Sequence, residues 1–364
     1  MFNIRTLLKM SVICGALSMM VLTGCARKTP EKLIAEVQEA NKTGDIAGAV
    51  AKLEEFIERY PKDERSAFAQ MNIADSYARM GQFDRSIKEF QKAIDNYPNN
   101  KGLKAGAQLS IANCYGAKKD WTKAREIWQT LAVDSNNGNA MLEAKNSIAR
   151  SYSVTGEFAK AEAAYKDYLN TISIIPQMPK NQKEALLISG YVALAESYAM
   201  ATAISKTEAT LKSLKSKFPN NQMAEDYYLY SDILIGGSYD ALKQTDKAKT
   251  YYKKGLVAYS AYTAYPAPSK DTTAGSRETL IAQAKADGTL IKMSEIYAFN
   301  LKDPAKASEL LGMVAKRNKN PKVMNEIKQR VAYLSSPQYK KMIAAPQSVS
   351  TTAPAKGQPA PVKK

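Results

Sequence analysis

Apolar positions between residues 67 and 169 follow a pattern that is written three times. Ile73-Ala74-x-x-Tyr77 is followed by Ser86, Phe90, Ala93 and Pro98. Ile111-Ala112-x-x-Tyr115 is followed by Ala124, Trp128 and Leu131, and Ile148-Ala149-x-x-Tyr152 by Ala161, Tyr165 and Tyr168. The small residues Ala74, Ala112 and Ala149 stand 38 and 37 residues apart. A fixed period of this size announces stacked units that each lack a core of their own. Spacings of i, i+3 and i, i+4, i+7 put each set on one helix face, which predicts helices over 67–80 and 84–97. Gly81 stands at the turn between them, where positive φ is needed, and Pro98 stops the second.

The same grammar extends in both directions. In a first unit, 30–61, Val37 takes the small position and Gly44 the turn, followed by Ala49, Leu53, Phe56 and Pro61. Thr29-Pro30-Glu31 reads as a helix start, with Thr29 as N-cap and Pro30 at the first helical position. Four repeats thus fill 30–172. Two prolines in TISIIPQMPKNQK predict a connecting loop over 173–183. Degenerate copies follow over 184–336: Leu194-Ala195-x-x-Tyr198 with Leu211 and Leu214, then Ile235-Gly236-x-x-Tyr239 with Ala248 and Tyr252. Gly236 and Gly255 are poor helix residues and weaken the sixth copy. Residues 257–279, with Tyr259, Tyr262, Tyr265, Pro266 and Pro268, form a second irregular insert. A seventh pair over about 279–317 needs a one-residue adjustment to fit. Pro321 to Leu334 reads as a capping helix, and 337–364, rich in Ala, Pro, Ser and Lys, reads as a disordered tail.

These residues resemble the tetratricopeptide repeat: a small residue, an aromatic three later, Gly at the turn, then Ala, an aromatic, Ala and Pro. The resemblance implies an all-α, right-handed α-solenoid of about six to seven helix pairs plus a C-terminal capping helix. It also implies that the first helix of each pair lines a concave groove. In repeats two to four that stripe is Phe68, Met71, Asp75 and Ala78, then Gly106, Leu109, Asn113 and Gly116, then Glu143, Asn146, Arg150 and Ser153. In repeats five and six it includes Val192, Glu196, Tyr230, Ile233 and Asp240. Met71, Asp75, Asn113, Asn146, Arg150, Glu196 and Tyr230 are the candidate protein-binding residues, a mixture of amides, both charges and modest apolar contact that suits an extended peptide or partner helix. The carboxylate clamp of some tetratricopeptide domains is incomplete here: Asn72 occupies a clamp position, but Ile34 and Gln38 stand at its partners.

The N-terminus carries a separate message. Arg5 and Lys9 precede a short apolar run, Met10 to Leu22, too short to span a bilayer comfortably, so 1–24 reads as a signal peptide. Leu22-Thr23-Gly24-Cys25 resembles a bacterial lipobox, which implies cleavage before Cys25 and acylation there. Several acyl chains give stable anchoring. By resemblance to Gram-negative lipoproteins, Ala26 in place of Asp is compatible with sorting to the outer membrane, facing the periplasm. From Cys25 to Thr29 the tether reaches at most about 14 Å. Cys14 leaves with the signal peptide, and Cys114 reads as a buried thiol.

Composition narrows the chemistry. The chain of 364 residues is 45% hydrophobic and 24% charged, with no histidine and three cysteines. Without histidine there is no Ser-His or Cys-His pair, and the commonest metal ligand is missing. No cysteine cluster, Walker loop or dinucleotide fingerprint appears. The expectation is a non-catalytic scaffold with no cofactor, no metal and no nucleic-acid partner. The formal net charge of +17 becomes +15 without Arg5 and Lys9, and 301–364 holds thirteen Lys/Arg against Asp303, Glu309 and Glu326. That basic end, with Tyr259, Tyr262 and Tyr265, supports an alternative: binding of peptidoglycan, anionic lipid or another anionic envelope polymer.

An anchor joined to such repeats resembles the BamD-type lipoproteins of outer-membrane protein assembly. The runs Phe56-Ile57-Glu58-Arg59-Tyr60-Pro61 and Phe90 to Pro98 resemble the periplasmic repeat proteins associated with the Tol-Pal system. The chain departs from both in having seven pairs instead of about five and a basic tail without a counterpart.

Overall fold

The computed structural model describes residues 28–134, 138–264 and 277–344, with side chains of the last segment from 282 onward. Every regular element among the described residues is helical. The chain divides into two compact units, Met1–Ala144 and Lys145–Lys364. The signal segment, Cys25 with most of its tether, Tyr265 and the tail beyond 344 lie outside the described residues.

The first unit holds α1 (Pro30–Thr43), α2 (Ile46–Arg59), α3 (Arg65–Arg79), α4 (Phe83–Asn96), α5 (Lys101–Ala117), α6 (Trp121–Ala132) and the start of α7 (Gly138–Val154). The helices expected over 67–80 and 84–97 are α3 and α4, displaced by one or two residues. Thr29 caps α1, its hydroxyl accepting the Lys32 amide at 3.3 Å. Leu33, Leu53, Phe56 and Ile73 are the floor of the first core, and Ala74, Phe90, Ala107 and Ile111 of the next. Burying such side chains supplies most of what holds short amphipathic helices together, at roughly 1.5–3 kcal/mol for each large one.

The second unit continues through α7 with α8 (Phe158–Ile174), α9 (Lys180–Met200), α10 (Ile204–Lys217), α11 (Gln222–Leu229), α12 (Ser231–Ala241) and α13 (Thr245–Ser260). It ends with α14 (Arg277–Glu295), α15 (Pro304–Arg317), α16 (Pro321–Leu334) and α17 (Pro337–Ala344). Neighbouring first helices are tied by small polar groups: Ser153 donates to the Ser197 hydroxyl at 2.8 Å, and Ser238 to the Ala199 carbonyl at 3.1 Å.

One joint recurs throughout. Each pair turns at a residue with positive φ: Gly44, Gly81, Lys119, Gly156, Thr202, Lys243 and Lys302. In six of these joints the next amide bonds back five residues, for example Gln82 to the Tyr77 carbonyl, Glu157 to Tyr152 and Gln244 to Tyr239. This satisfies carbonyls that a helix end otherwise leaves open. In the seventh, Asp303 reaches back six residues to Tyr297, because Ile296–Asn300 forms a π-helical turn. That turn is the one-residue mismatch in the sequence, absorbed as a bulge. A second regularity accompanies the joint. The tyrosine ending the first helix lies under a cation eight residues later in five pairs: Arg85 over Tyr77 (4.0 Å), Lys123 over Tyr115, Lys160 over Tyr152, Lys206 over Tyr198 and Lys247 over Tyr239.

Three boundaries differ from the sequence reading. The loop expected over 173–183 is only 175–179, since α8 runs to Ile174 before Pro176 stops it and α9 starts directly after Pro179. The insert expected from 257 begins later, because α13 continues to Ser260 and buries Tyr259 at 5% exposure. The tail expected from 337 begins instead with α17, whose Tyr339 is fully buried and donates its hydroxyl to the Ala298 carbonyl at 2.7 Å. The capping helix itself, α16, spans the residues expected of it and buries Ile327 and Leu334.

The sixth pair explains its own glycines. A Cβ on Gly236 would stand 2.6 Å from Cε1 of Tyr252, and one on Gly255 would stand 2.3 Å from Cδ1 of Ile233. These are the places where α12 and α13 touch, and close approach outweighs poor helix propensity.

Candidate functional site

In the first unit the expected groove residues separate by depth. Phe68 is 64% exposed, Met71 is half-buried against the apolar cores, and Asp75 is exposed. Leu109 and Gly116 are buried, the latter beneath the Trp128 ring, so they belong to the core. Asn113 is exposed and its Oδ1 accepts the Trp128 indole N–H at 3.2 Å, which holds the amide in one orientation. An open cleft of about 480 Å³ lies between α1 and α3, lined by Val37, Asn41, Asn72, Asp75, Ser76 and Arg79, with Ala49 and Leu53 from α2. Desolvation by the walls of the cleft raises the Asp75 carboxyl, although the residue is exposed as a whole, and Arg79 pulls it back down. Asn41 was missed in the sequence, although it follows Val37 by one helical turn on the same face.

The second unit carries the fuller constellation. Asn146 is half-buried and Arg150 exposed on α7, while Glu196 is half-buried on α9. Tyr230 is half-buried at the break between α11 and α12, instead of inside one long helix. Ser153, Val192 and Ile233 are buried and so lie in the core. The Tyr230 hydroxyl is pushed up to about 12, first by burial and then by the negative charges of Glu196 and Glu295. Burial likewise lifts Tyr165 to about 12, where Ser153 hydrogen-bonding and Arg150 oppose the shift and Glu196 adds to it. Glu295 accepts from Arg330 Nη1 at 2.5 Å, and Arg330 also binds Glu326 at 2.9 Å. One step away, Tyr252 donates to Asp240 Oδ2 at 2.6 Å; burial raises Asp240 while that bond lowers it.

Arg150, Glu196, Tyr230, Glu295 and Arg330 thus form a polar set drawn from alternate helices of one unit, in which Glu196 and Glu295 both act on the Tyr230 hydroxyl and Arg330 binds Glu295. Glu295 and Arg330 were not anticipated. Glu295 immediately precedes the π-helical turn that breaks the register, and Arg330 sits on the capping helix, outside the repeat pattern. Of the aromatic residues assigned to an anionic polymer, Tyr259 is core and Tyr262 is half-buried with Lys285 over its ring at 5.0 Å. Tyr259 is therefore withdrawn from that surface, while Tyr265 lies outside the described residues. Cys114 is buried, its Sγ 3.4 Å from the Ser86 hydroxyl, and burial pushes its thiol up. Among the described residues no group of three or more Cys, Asp or Glu side chains is placed to hold a metal ion, and no helix is long and apolar enough to cross a membrane.

Residues 27–177 match the family model of the tetratricopeptide repeat-like domain, and residues 233–256 match that of a single tetratricopeptide repeat. Comparison with curated protein sequences gives no match. Similar solved structures include a tetratricopeptide repeat protein from Parabacteroides merdae, 14% identical, covering 84% of this chain and 99% of that one with a TM-score of 0.46. The apo form of RapI is 11% identical, with 84% and 99% covered and a TM-score of 0.49. The C-terminal part of a repeat protein from Cytophaga hutchinsonii is 15% identical, with 79% and 97% covered and a TM-score of 0.42.

Proposed function

We propose that this chain of tetratricopeptide-like helix pairs is a non-catalytic docking scaffold, held at a membrane of the bacterial envelope through lipid on Cys25. The observation that carries the docking reading is the row Arg150, Glu196, Tyr230, Glu295 and Arg330. It offers both charge signs and a half-buried phenol from alternate helices of the second unit. Such a row can hydrogen-bond an extended main chain and select side-chain charges along it. The asparagine-lined cleft of the first unit adds a second gripping point of the same character. The lipobox-like Leu22 to Cys25 supports the anchor, and Ala26 supports the outer membrane, facing the periplasm. Roles in outer-membrane protein assembly or envelope maintenance follow from that placement.

Two measurements test the reading. A photo-crosslinking amino acid at position 196 or 72 should capture one defined envelope protein, while the same group at Val257, 72% exposed on α13, should not. Equal capture at all three positions refutes the placement of the docking face. Metabolic labelling with a clickable fatty acid should mark the chain and fail for Cys25→Ser; label retained by that variant refutes the anchor.

A further inference from the structure

The C-terminal end of the second unit concentrates positive charge that the fold does not use. Residues 301–344 contain ten Lys/Arg and three acidic residues. Arg317 is bound to Asp287, Arg330 to Glu295 and Glu326, and Lys306 to Glu309, while Lys302 donates to the Ile343 carbonyl at 3.1 Å. Among the described residues, Lys316, Lys319, Lys322, Lys328, Lys340 and Lys341 are exposed and have no acidic partner. The acidic groups nearest this end are already engaged: Asp303 caps α15 by accepting the Lys306 amide at 2.9 Å, and Glu326 pairs with Arg330.

Large apolar side chains stand among these lysines. Phe299 and Met342 are each 42% exposed. They are joined through the buried Tyr339, whose ring lies 6.2 Å from Phe299 and 5.9 Å from Tyr333, and the Tyr333 hydroxyl meets the Met342 sulfur at 3.6 Å. On α17, Gln338, Lys341 and Met342 share one face, which lies beside that of the buried Tyr339. Lys302 reaches the same surface through its bond to Ile343.

We propose that this end of the chain is a peripheral lipid-docking surface, in which Phe299 and Met342 enter the headgroup layer of an anionic bilayer while Lys302, Lys340 and Lys341 contact its phosphates. Uncancelled cations beside protruding apolar tips match that boundary, which is anionic outside and apolar a few ångströms below. A soluble polyanion would use the charge and leave the apolar tips in water. None of the residues of the polar docking row takes part, so the two readings stand or fall separately.

The test uses the full chain with Cys14→Ser, Cys25→Ser and Gln338→Cys, the last carrying an environment-sensitive fluorophore, since Cys114 is buried. Vesicles of phosphatidylglycerol in phosphatidylcholine should shift the emission to the blue, and pure phosphatidylcholine should not. Lys340→Gln and Lys341→Gln should each weaken partitioning roughly fivefold. Phe299→Ser and Met342→Ser should each weaken it roughly tenfold, with helicity by circular dichroism retained. High salt should reduce the shift. No shift on anionic vesicles, an equal shift on neutral ones, or a shift that survives the lysine substitutions overturns the proposal. So does a shift produced only by solubilised envelope protein or by peptidoglycan.

Discussion

Two adjacent glycines on α12 should respond to the same substitution with opposite sign. Gly236→Ala would set its Cβ 2.6 and 2.7 Å from Cε1 and Cδ1 of Tyr252, where ordinary carbon contacts lie near 3.5–4.0 Å. The ring would have to retreat by about 1 Å, yet it is 1% exposed and its hydroxyl is bound to Asp240 at 2.6 Å. Overpacking costs about 1–3 kcal/mol, and loosening a bond to a carboxylate about 1.5–3. Removing a helical glycine returns only about 1 kcal/mol. The net expectation is a loss of roughly 2–4 kcal/mol from the sixth pair. Gly237→Ala meets no atom within 4 Å and should stabilise by about 0.5–1 kcal/mol. Stacked pairs need not unfold in one step, so local hydrogen exchange is the better assay than a single melting temperature. Amides of α12 and α13 should exchange about a hundredfold faster in Gly236→Ala and no faster in Gly237→Ala. Equal protection in the two variants would refute the claim that close approach, and not chance, keeps glycine at 236.

The remaining expectations are shorter. Tyr339→Ala removes a fully buried ring and its bond to Ala298, and should cost about 3–5 kcal/mol locally; limited proteolysis should then cut within α17 before any other described helix. Glu162 is held down to about 2, mainly by bonds from Lys166 and Lys206. Its folded pKa lies below the ordinary value of 4.5, so its contribution is present above about 4.5 and lost as pH falls toward about 2. The stability gap between wild type and Glu162→Gln, followed by urea titration, should shrink over that window, and a constant gap would refute the assignment.

Much of the fold was legible because the repeat is local. Gly44 and Gly81 marked their turns, Thr29 its cap, and Pro321 to Leu334 the capping helix, all from contacts spanning a few residues. What stayed hidden depends on a second element. Gly236 reads as a weak helix residue until Tyr252 is brought against it. Leu109, Gly116, Ser153, Val192 and Ile233 share the groove's spacing yet are sealed by neighbouring helices. Eight residues of α17 are too few to display a period, and their single buried anchor, Tyr339, looks in the sequence like any tyrosine near a proline-rich end. Of the polar set in the second unit, Arg150, Glu196 and Tyr230 were expected from the repeat resemblance, whereas Glu295 and Arg330 required the geometry around a bulge and a cap.

That bulge at Ile296–Asn300 has a consequence for how such an array can lengthen. An extra residue inside a regular helix would swing every later side chain by about 100° and turn packed faces toward water. By widening one loop of backbone the chain confines the misfit, and Tyr297 still supplies the carbonyl that closes its joint. Growth by single residues is thereby tolerated where a rigid spiral would have required re-tiling all that lies downstream.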